Sequence, residues 1–144
     1  MLITKEFRSI TTSRPQETGQ SNLTPEEGAA MWKTYIQPLK AQGLRLGSPA
    51  PSSAPSGKEW LQSWLNSSCA DCTVDFIALH WYDVNATAFI NYLMDFHDTF
   101  QRPLWITEWA CQVSLYFEIS QHNSSDEIYR ILTTLKRNVR IRIL

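Results

Sequence analysis

The chain has no run of about 18 apolar residues, so no segment reads as a membrane span. It has no excess of basic charge. Its 13 Lys and Arg face 14 Asp and Glu, a formal net charge of −1, and no nucleic-acid partner is indicated. Glycine is scarce, five residues in all, and none is spaced to cradle a phosphate. There is no G-x-S-x-G elbow, so a hydrolase assembled on paper from Cys111, His80 and Asp83 lacks its usual support. Cysteine is limited to three residues. Cys69 and Cys72 form a single C-x-x-C, which cannot make a four-ligand zinc site without two more ligands. No metal and no cofactor is therefore expected. The first eight residues carry charges and no apolar stretch of useful length, and they do not read as a signal peptide.

What is present is the composition of a folded domain. The 144 residues are 43% hydrophobic and 12% aromatic, with six tryptophans, enough for one domain with a real core. Four of the six asparagines, Asn22, Asn66, Asn85 and Asn123, begin N-x-S/T sequons. That favours an extracellular body, in which Cys69 and Cys72 would form a local disulfide and Cys111 would be left over. A thioredoxin-like redox centre is the weaker alternative for the pair, since here it precedes a strand. A secreted-looking body behind a leaderless start leads us to expect that the natural N-terminus lies upstream.

Along the chain, Thr24-Pro25-Glu26-Glu27 is a helix start with a capping box, and Gly43 is its expected end. Trp32, Tyr35, Ile36 and Leu39 share helical spacing, with Pro38 expected to kink the last turn. Residues 44–50 read as a short strand and 51–57, rich in Ser and Pro, as a loop. A helix is expected over 58–66, with Trp60, Leu61, Trp64 and Leu65 on one face. The near-continuous apolar run 74–82 fits a strand covered on both faces. A helix capped by Asn85 or Thr87 is expected to run to about Phe100, burying Phe89, Leu93, Phe96 and Phe100, with Ile90 and Met94 beside them. Then comes Pro103-Leu104-Trp105-Ile106-Thr107-Glu108-Trp109, a strand that delivers a carboxylate at its tip. Under strict alternation Trp105 and Glu108, three apart, point to opposite faces.

Strand onsets about 30 residues apart predict βα units in a parallel sheet. The right-handed crossover rule puts the strand tips on one edge, so Ser48, His80 and Glu108 are expected along one rim. Past Gln112 the pattern breaks. A strand over 113–119, a helix from Ser124 and an alternating tail over 137–144 are weaker expectations.

Several of these residues also carry a resemblance. They are the segment from Gly19 to Glu27, Gly47-Ser48-Pro49-Ala50, Cys69-x-x-Cys72-x-Val74-Asp75-Phe76, His80-Trp81-Tyr82 and Trp105-Ile106-Thr107-Glu108-Trp109-Ala110-Cys111. In order and spacing the chain resembles the fungal-type glycosyl hydrolase catalytic-core family, glycoside hydrolase family 128, over about residues 15–112. The resemblance implies an α/β fold, part of a (β/α)8 TIM-type barrel covering roughly strands four to seven, with divergent N- and C-terminal ends. It implies a β-glucan polysaccharide partner, cleavage of β-1,3-glucan with retention, and an extracellular or cell-wall location. It makes Glu108, in the T-E-W motif, the catalytic nucleophile. His80, Trp81 and Tyr82 are then expected to contact sugar, Trp109 to serve as a sugar platform, and Ser48 either to line the cleft or to hold its βα turn.

The family's acid/base glutamate lies in an N-E-P motif, and the register here reads Ser13-Arg14-Pro15. Arg14 stands where the acid belongs. Retaining glycosidases need two carboxyl groups about 5 Å apart, and a guanidinium with a pKa above about 12 cannot donate a proton near neutrality. Glu17 is the nearest other acid in that loop. A single incomplete catalytic domain, 1–144, with impaired hydrolysis is therefore expected. The alternatives are a non-catalytic glucan-binding remnant or an unstable truncated product.

Overall fold

The computed structural model describes residues 8–9, 14–83, 86–110 and 141–143. Cys111, the elements expected over 113–119 and from Ser124, and the asparagines Asn85 and Asn123 lie outside these residues. So does the helix-cap assignment to Asn85.

The described elements are β1 (Arg8–Ser9), α1 (Pro25–Met31), β2 (Leu46–Gly47), α2 (Pro55–Ser63), β3 (Ile77–Tyr82), α3 (Ala86–Phe100), β4 (Leu104–Ala110) and β5 (Ile141–Ile143). Every strand pairing is parallel: β1 with β2, β3 with β4, β4 with β5. A parallel bridge between Gly47 and Phe76 joins the two groups. The described residues thus form a mixed α/β arrangement with five parallel strands side by side in sequence order. The resemblance implies roughly four of these, and the alternating tail supplies the further one, β5, with Ile141 opposite Leu104. Its Ile-Arg-Ile alternation is that of a strand, and its place beside β4 is a long-range pairing that local pattern cannot give.

α1 begins as expected. Thr24 accepts from the Glu27 backbone N–H while the Glu27 side chain accepts from the Thr24 backbone N–H, and Pro25 occupies the first turn. After Met31 the helix widens into a π turn over 32–36 and tightens to 3₁₀ over 37–42. Pro38 lacks the N–H an α-helix would use there. Gly43 closes the segment with φ 77°, a left-handed cap. The π turn shifts the helical phase, so Trp32 and Ile36 are buried while Tyr35, expected on the same face, is 66% exposed. α2 starts three residues before the expected helix, because Pro55 is itself pre-set for a first turn.

Trp32, Trp60 and Trp64 form the core between these helices. Trp32 meets Trp64 edge-on with ring centroids 5.1 Å apart, and Trp60 stacks on Trp64. Gly28 lets α1 approach, since a Cβ there would stand 2.9 Å from the Trp60 ring. Along α3, Phe89, Leu93 and Phe96 are buried as expected, whereas Met94 is 47% exposed. Cys69 and Cys72 are joined by a disulfide just past the second π turn. Asp75 has a structural role: it receives Lys40 Nζ at 2.8 Å and the Leu46 N–H at 2.7 Å.

The join between β2 and β3 is narrow. Ser48 is fully buried there. Its hydroxyl donates to Pro49 O at 2.8 Å and accepts the Ala78 N–H at 3.0 Å. Both hydroxyl roles are filled, which gives Ser48 the turn-holding function and takes it away from the cleft. Next to it, a Cβ on Gly47 would collide with the Phe76 ring. Gly47→Ala is expected to destabilise the fold by about 1–3 kcal/mol, as overpacking does, read as a lower midpoint in urea unfolding. A midpoint unchanged from wild type would show that the Phe76 ring can swing aside freely.

Candidate active site

The alternation of β3 sorts its side chains. Ile77, Leu79 and Trp81 belong to the buried cluster with the helices, together with Leu104 and Ile106 of β4. Trp81 packs on Phe89 at 5.4 Å and Tyr92 at 5.2 Å. It is 7% exposed, and the expectation that it contacts sugar is corrected: a residue between His80 and Tyr82 in a strand must face away from them. His80 and Tyr82 take the other face, in line with Ala78 and Phe76.

β4 is not regular. Leu79 pairs with Ile106, but the next pair is His80 with Glu108, so Thr107 is an extra residue in a bulge. Its hydroxyl donates to Leu79 O at 3.3 Å. The bulge changes the parity of the strand. Trp105 packs against Phe76, ring centroids 4.8 Å apart, and therefore shares the face of His80 and Glu108. The strict-alternation expectation for Trp105 is overturned for this reason. Trp109 falls opposite Trp81 in the register, and its side chain lies outside the described residues.

The bulge brings three groups together. Tyr82 Oη donates to Glu108 Oε2 at 2.8 Å, and His80 Nδ1 lies 3.4 Å from the same oxygen. The Tyr82 phenol is held above its ordinary value of 10.0 by that hydrogen bond first, with burial and the Glu108 charge adding to it, so it remains a donor at neutral pH. The His80–Glu108 contact is close but not aligned as a hydrogen bond: neither ring nitrogen has a hydrogen-bond partner among the described residues. His80 is 1% exposed. Burial lowers its pKa below the ordinary 6.5, the Glu108 charge works the other way, and the nearby Arg14 charge lowers it further. The imidazole is thus neutral at pH 7. Among the described residues, Glu108 Oε1 accepts no hydrogen bond, which leaves one carboxylate oxygen available to a ligand.

The unfolded chain binds the His80 proton more readily than the folded protein does, so stability is retained above pH 6.5 and falls as pH drops below it. Urea unfolding at stepped pH between 7.5 and 5 is expected to show that decline in wild type and a smaller one in His80→Asn. Identical slopes would assign the decline to other groups.

Arg14 approaches the same group of residues. Its backbone has φ 51°, an uncommon left-handed conformation for this residue type, and its N–H donates to Ala50 O at 3.2 Å. Its Cζ lies 5.3 Å from the Tyr82 ring centroid, a cation–π contact. Among the described residues no carboxylate lies within ion-pair distance of the guanidinium. Glu17, the nearest other acid in the loop, accepts from Ser52 Oγ at 2.9 Å and from Gln16 Nε2 at 3.3 Å. The sequence already placed Glu108, His80, Tyr82 and Arg14 among the site candidates. Thr107 was missed as a positioning residue, and only its membership of the T-E-W triplet could have drawn attention to it. No group of three or more His, Cys, Asp or Glu side chains suited to a metal ion occurs among the described residues. None of their helices is long and apolar enough to cross a membrane.

A carboxylate at a strand tip, fixed by a phenol on one oxygen and open on the other, is suited to attack on an electrophilic carbon. Comparison with known proteins identifies the family. The family model described as glycosyl hydrolase catalytic core matches residues 10–142, extending the family-like region on both sides of 15–112. Alkali-sensitive linkage protein 1 of Schizosaccharomyces pombe is 34% identical over 108 residues, 74% of this chain and 19% of that protein. A crystal structure of an exo-β-1,3-glucanase of glycoside hydrolase family 128 from Aureobasidium namibiae is 33% identical, with a TM-score of 0.58, covering 62% of this chain and 37% of that one. A curdlan-specific exo-β-1,3-glucanase of the same family from Blastomyces gilchristii, solved with glucose, is 28% identical. Its TM-score is 0.72, and the match covers 90% of this chain and 57% of that one. The chain thus spans about a fifth of the curated relative and between a third and three fifths of these two solved structures.

Proposed function

The chain belongs to the glycosyl hydrolase catalytic core family, and from that premise we propose that it is a β-1,3-glucan-directed glycoside hydrolase domain with one working carboxylate. The five parallel strands correspond in this reading to the fourth through eighth strands of a (β/α)8 barrel, whose active sites lie at the C-terminal ends of the strands. Glu108 is the nucleophile of a retaining reaction. Its open oxygen attacks C1 of the sugar, and the Tyr82 hydroxyl holds the other oxygen in place. Arg14 occupies the acid/base position, so the departing sugar oxygen receives no proton from the protein and hydrolysis is slow. Trp109 is the candidate sugar platform beside Glu108. The observation that carries the reading is the Tyr82–Glu108–His80 constellation at the bulge of β4.

An extracellular or cell-wall location fits the disulfide between Cys69 and Cys72 and the exposed sequon asparagines Asn22 and Asn66. The test is direct. Purified protein incubated with linear β-1,3-glucan is expected to release reducing ends slowly, and β-1,4-glucan is expected to release none. Equal release from both polymers, or none from either without any binding, would overturn the assignment. Arg14 favours one second reading, a glucan-binding module without turnover. Retarded migration in a β-1,3-glucan gel with no reducing ends released would decide for it.

A further inference from the structure

Arg14 is a charged group that a retaining hydrolysis does not use. Resting on the glycosidase reading above, we infer that the corner it occupies is a subsite for a phosphate-class oxyanion, and that this anion replaces water as acceptor of the glycosyl group carried by Glu108.

Three features of the site converge on this. The guanidinium rests on the Tyr82 ring, Cζ 5.3 Å from its centroid, with no carboxylate in ion-pair range among the described residues. Its planar fork of N–H donors matches a phosphate bidentately. His80, 1% exposed and 3.4 Å from Glu108, has two ring nitrogens without a hydrogen-bond partner among the described residues. A buried neutral imidazole carries one N–H, and buried donors are ordinarily satisfied; neither nitrogen is exposed, so a ligand oxygen meets this one only as the Glu108 side chain or the ring shifts. The third feature is the sign of the charges. With two carboxylates an incoming anion is repelled twice; here it meets Glu108 and Arg14, one of each sign. Once Glu108 is esterified by the sugar its charge is gone, and Arg14 is left as the cation facing the reacting carbon.

The chemistry balances without any redox partner. Glu108 Oε1 forms a bond to C1 as the bond from C1 to the departing glucan oxygen breaks. Dihydrogen phosphate held at Arg14 gives a proton to that oxygen, supplying the acid the protein lacks. The resulting hydrogen phosphate attacks C1 from the face the glucan left. A C–O bond to phosphate forms, the ester bond breaks, and its electron pair returns to Glu108 as carboxylate. One glycosidic bond and one phosphate become a departing glucan and a glycosyl phosphate with configuration retained.

The experiment uses the full 144-residue protein, linear β-1,3-glucan and inorganic phosphate. Glycosyl phosphate is expected in the phosphorus NMR spectrum, accumulating faster as phosphate is raised. Calorimetric titration with inorganic phosphate alone gives a second readout that needs no turnover. Arg14→Gln is expected to bind phosphate about 10-fold or more weakly than wild type, the scale of a lost charge-assisted contact, and Glu108→Gln to bind it more tightly. Equal phosphate affinity in wild type and Arg14→Gln overturns the inference. So does reducing-end release that is indifferent to phosphate and yields no glycosyl phosphate. Release unaffected by Glu108→Gln overturns the glycosidase reading instead, and the phosphate affinity of Arg14→Gln still decides the anion subsite.

Discussion

Arg14→Glu is expected to raise hydrolysis of linear β-1,3-glucan by about 100- to 10,000-fold, the usual contribution of a positioned general acid. In the proposed reading the substitution puts a carboxyl group where a retaining glycosidase keeps its proton donor, on the loop that contacts Tyr82, itself hydrogen-bonded to Glu108. The backbone asks nothing new of it, since position 14 already holds a non-glycine residue at φ 51°. The choice of substrate separates acid catalysis from general repair of the site. On glucan, whose leaving oxygen needs a proton, kcat/KM should rise by the full factor. On a dinitrophenyl glycoside, whose leaving oxygen needs none, kcat/KM should change little. Arg14→Gln supplies the control, because it removes the cation without adding an acid. A glucan rate for Arg14→Glu no higher than for Arg14→Gln would remove position 14 from the acid/base role.

Glu108→Gln is expected to lower kcat/KM on the dinitrophenyl glycoside by roughly 10⁴-fold or more, the scale on which loss of a catalytic nucleophile falls. The activated substrate matters here because, in the proposed reading, the native rate on glucan is limited by the missing acid. The amide keeps the size of the side chain and can still accept the Tyr82 hydrogen bond, so the fold should be preserved while nucleophilic attack is lost. Turnover unchanged by this substitution would take Glu108 out of the mechanism. Tyr82→Phe, which frees Oε2 but leaves the carboxylate in place, should cost far less.

Much of the local structure was legible because its causes are local. The Thr24–Glu27 capping box, the Gly43 cap and the tryptophan face of α2 each depend on residues within a turn or two of one another. The core assignment of Trp32, Trp60 and Trp64 followed from the same spacing. The site was legible in part. Glu108, His80 and Tyr82 come together on one face as their positions at strand tips implied. Trp81 and Ser48 did not join them. Trp81 faces the helices because neighbours in a strand alternate, and Ser48 spends its hydroxyl holding β2 to β3. The phase of helix α1 beyond Met31 was hidden, because a π turn adds a residue that periodicity does not register.

By itself the sequence determined the order of the βα units, their parallel sense and the carboxylate at the tip of β4. The resemblance carried by its motifs also sets Arg14 at the position where the family keeps an acid, the reading that Arg14→Glu tests. These rest on hydrophobic period, capping chemistry and motif spacing, which act over short stretches of chain. Only the tertiary structure decided which side chains share the site. The extra residue at Thr107 is defined by the pairing of β4 with β3, and it turns Trp105 and Glu108 to the same face. The place of β5 beside β4 and of Arg14 over Tyr82 likewise depends on segments distant in sequence. Contacts of that kind are selected by packing and strand register in three dimensions, and no period along the chain encodes them.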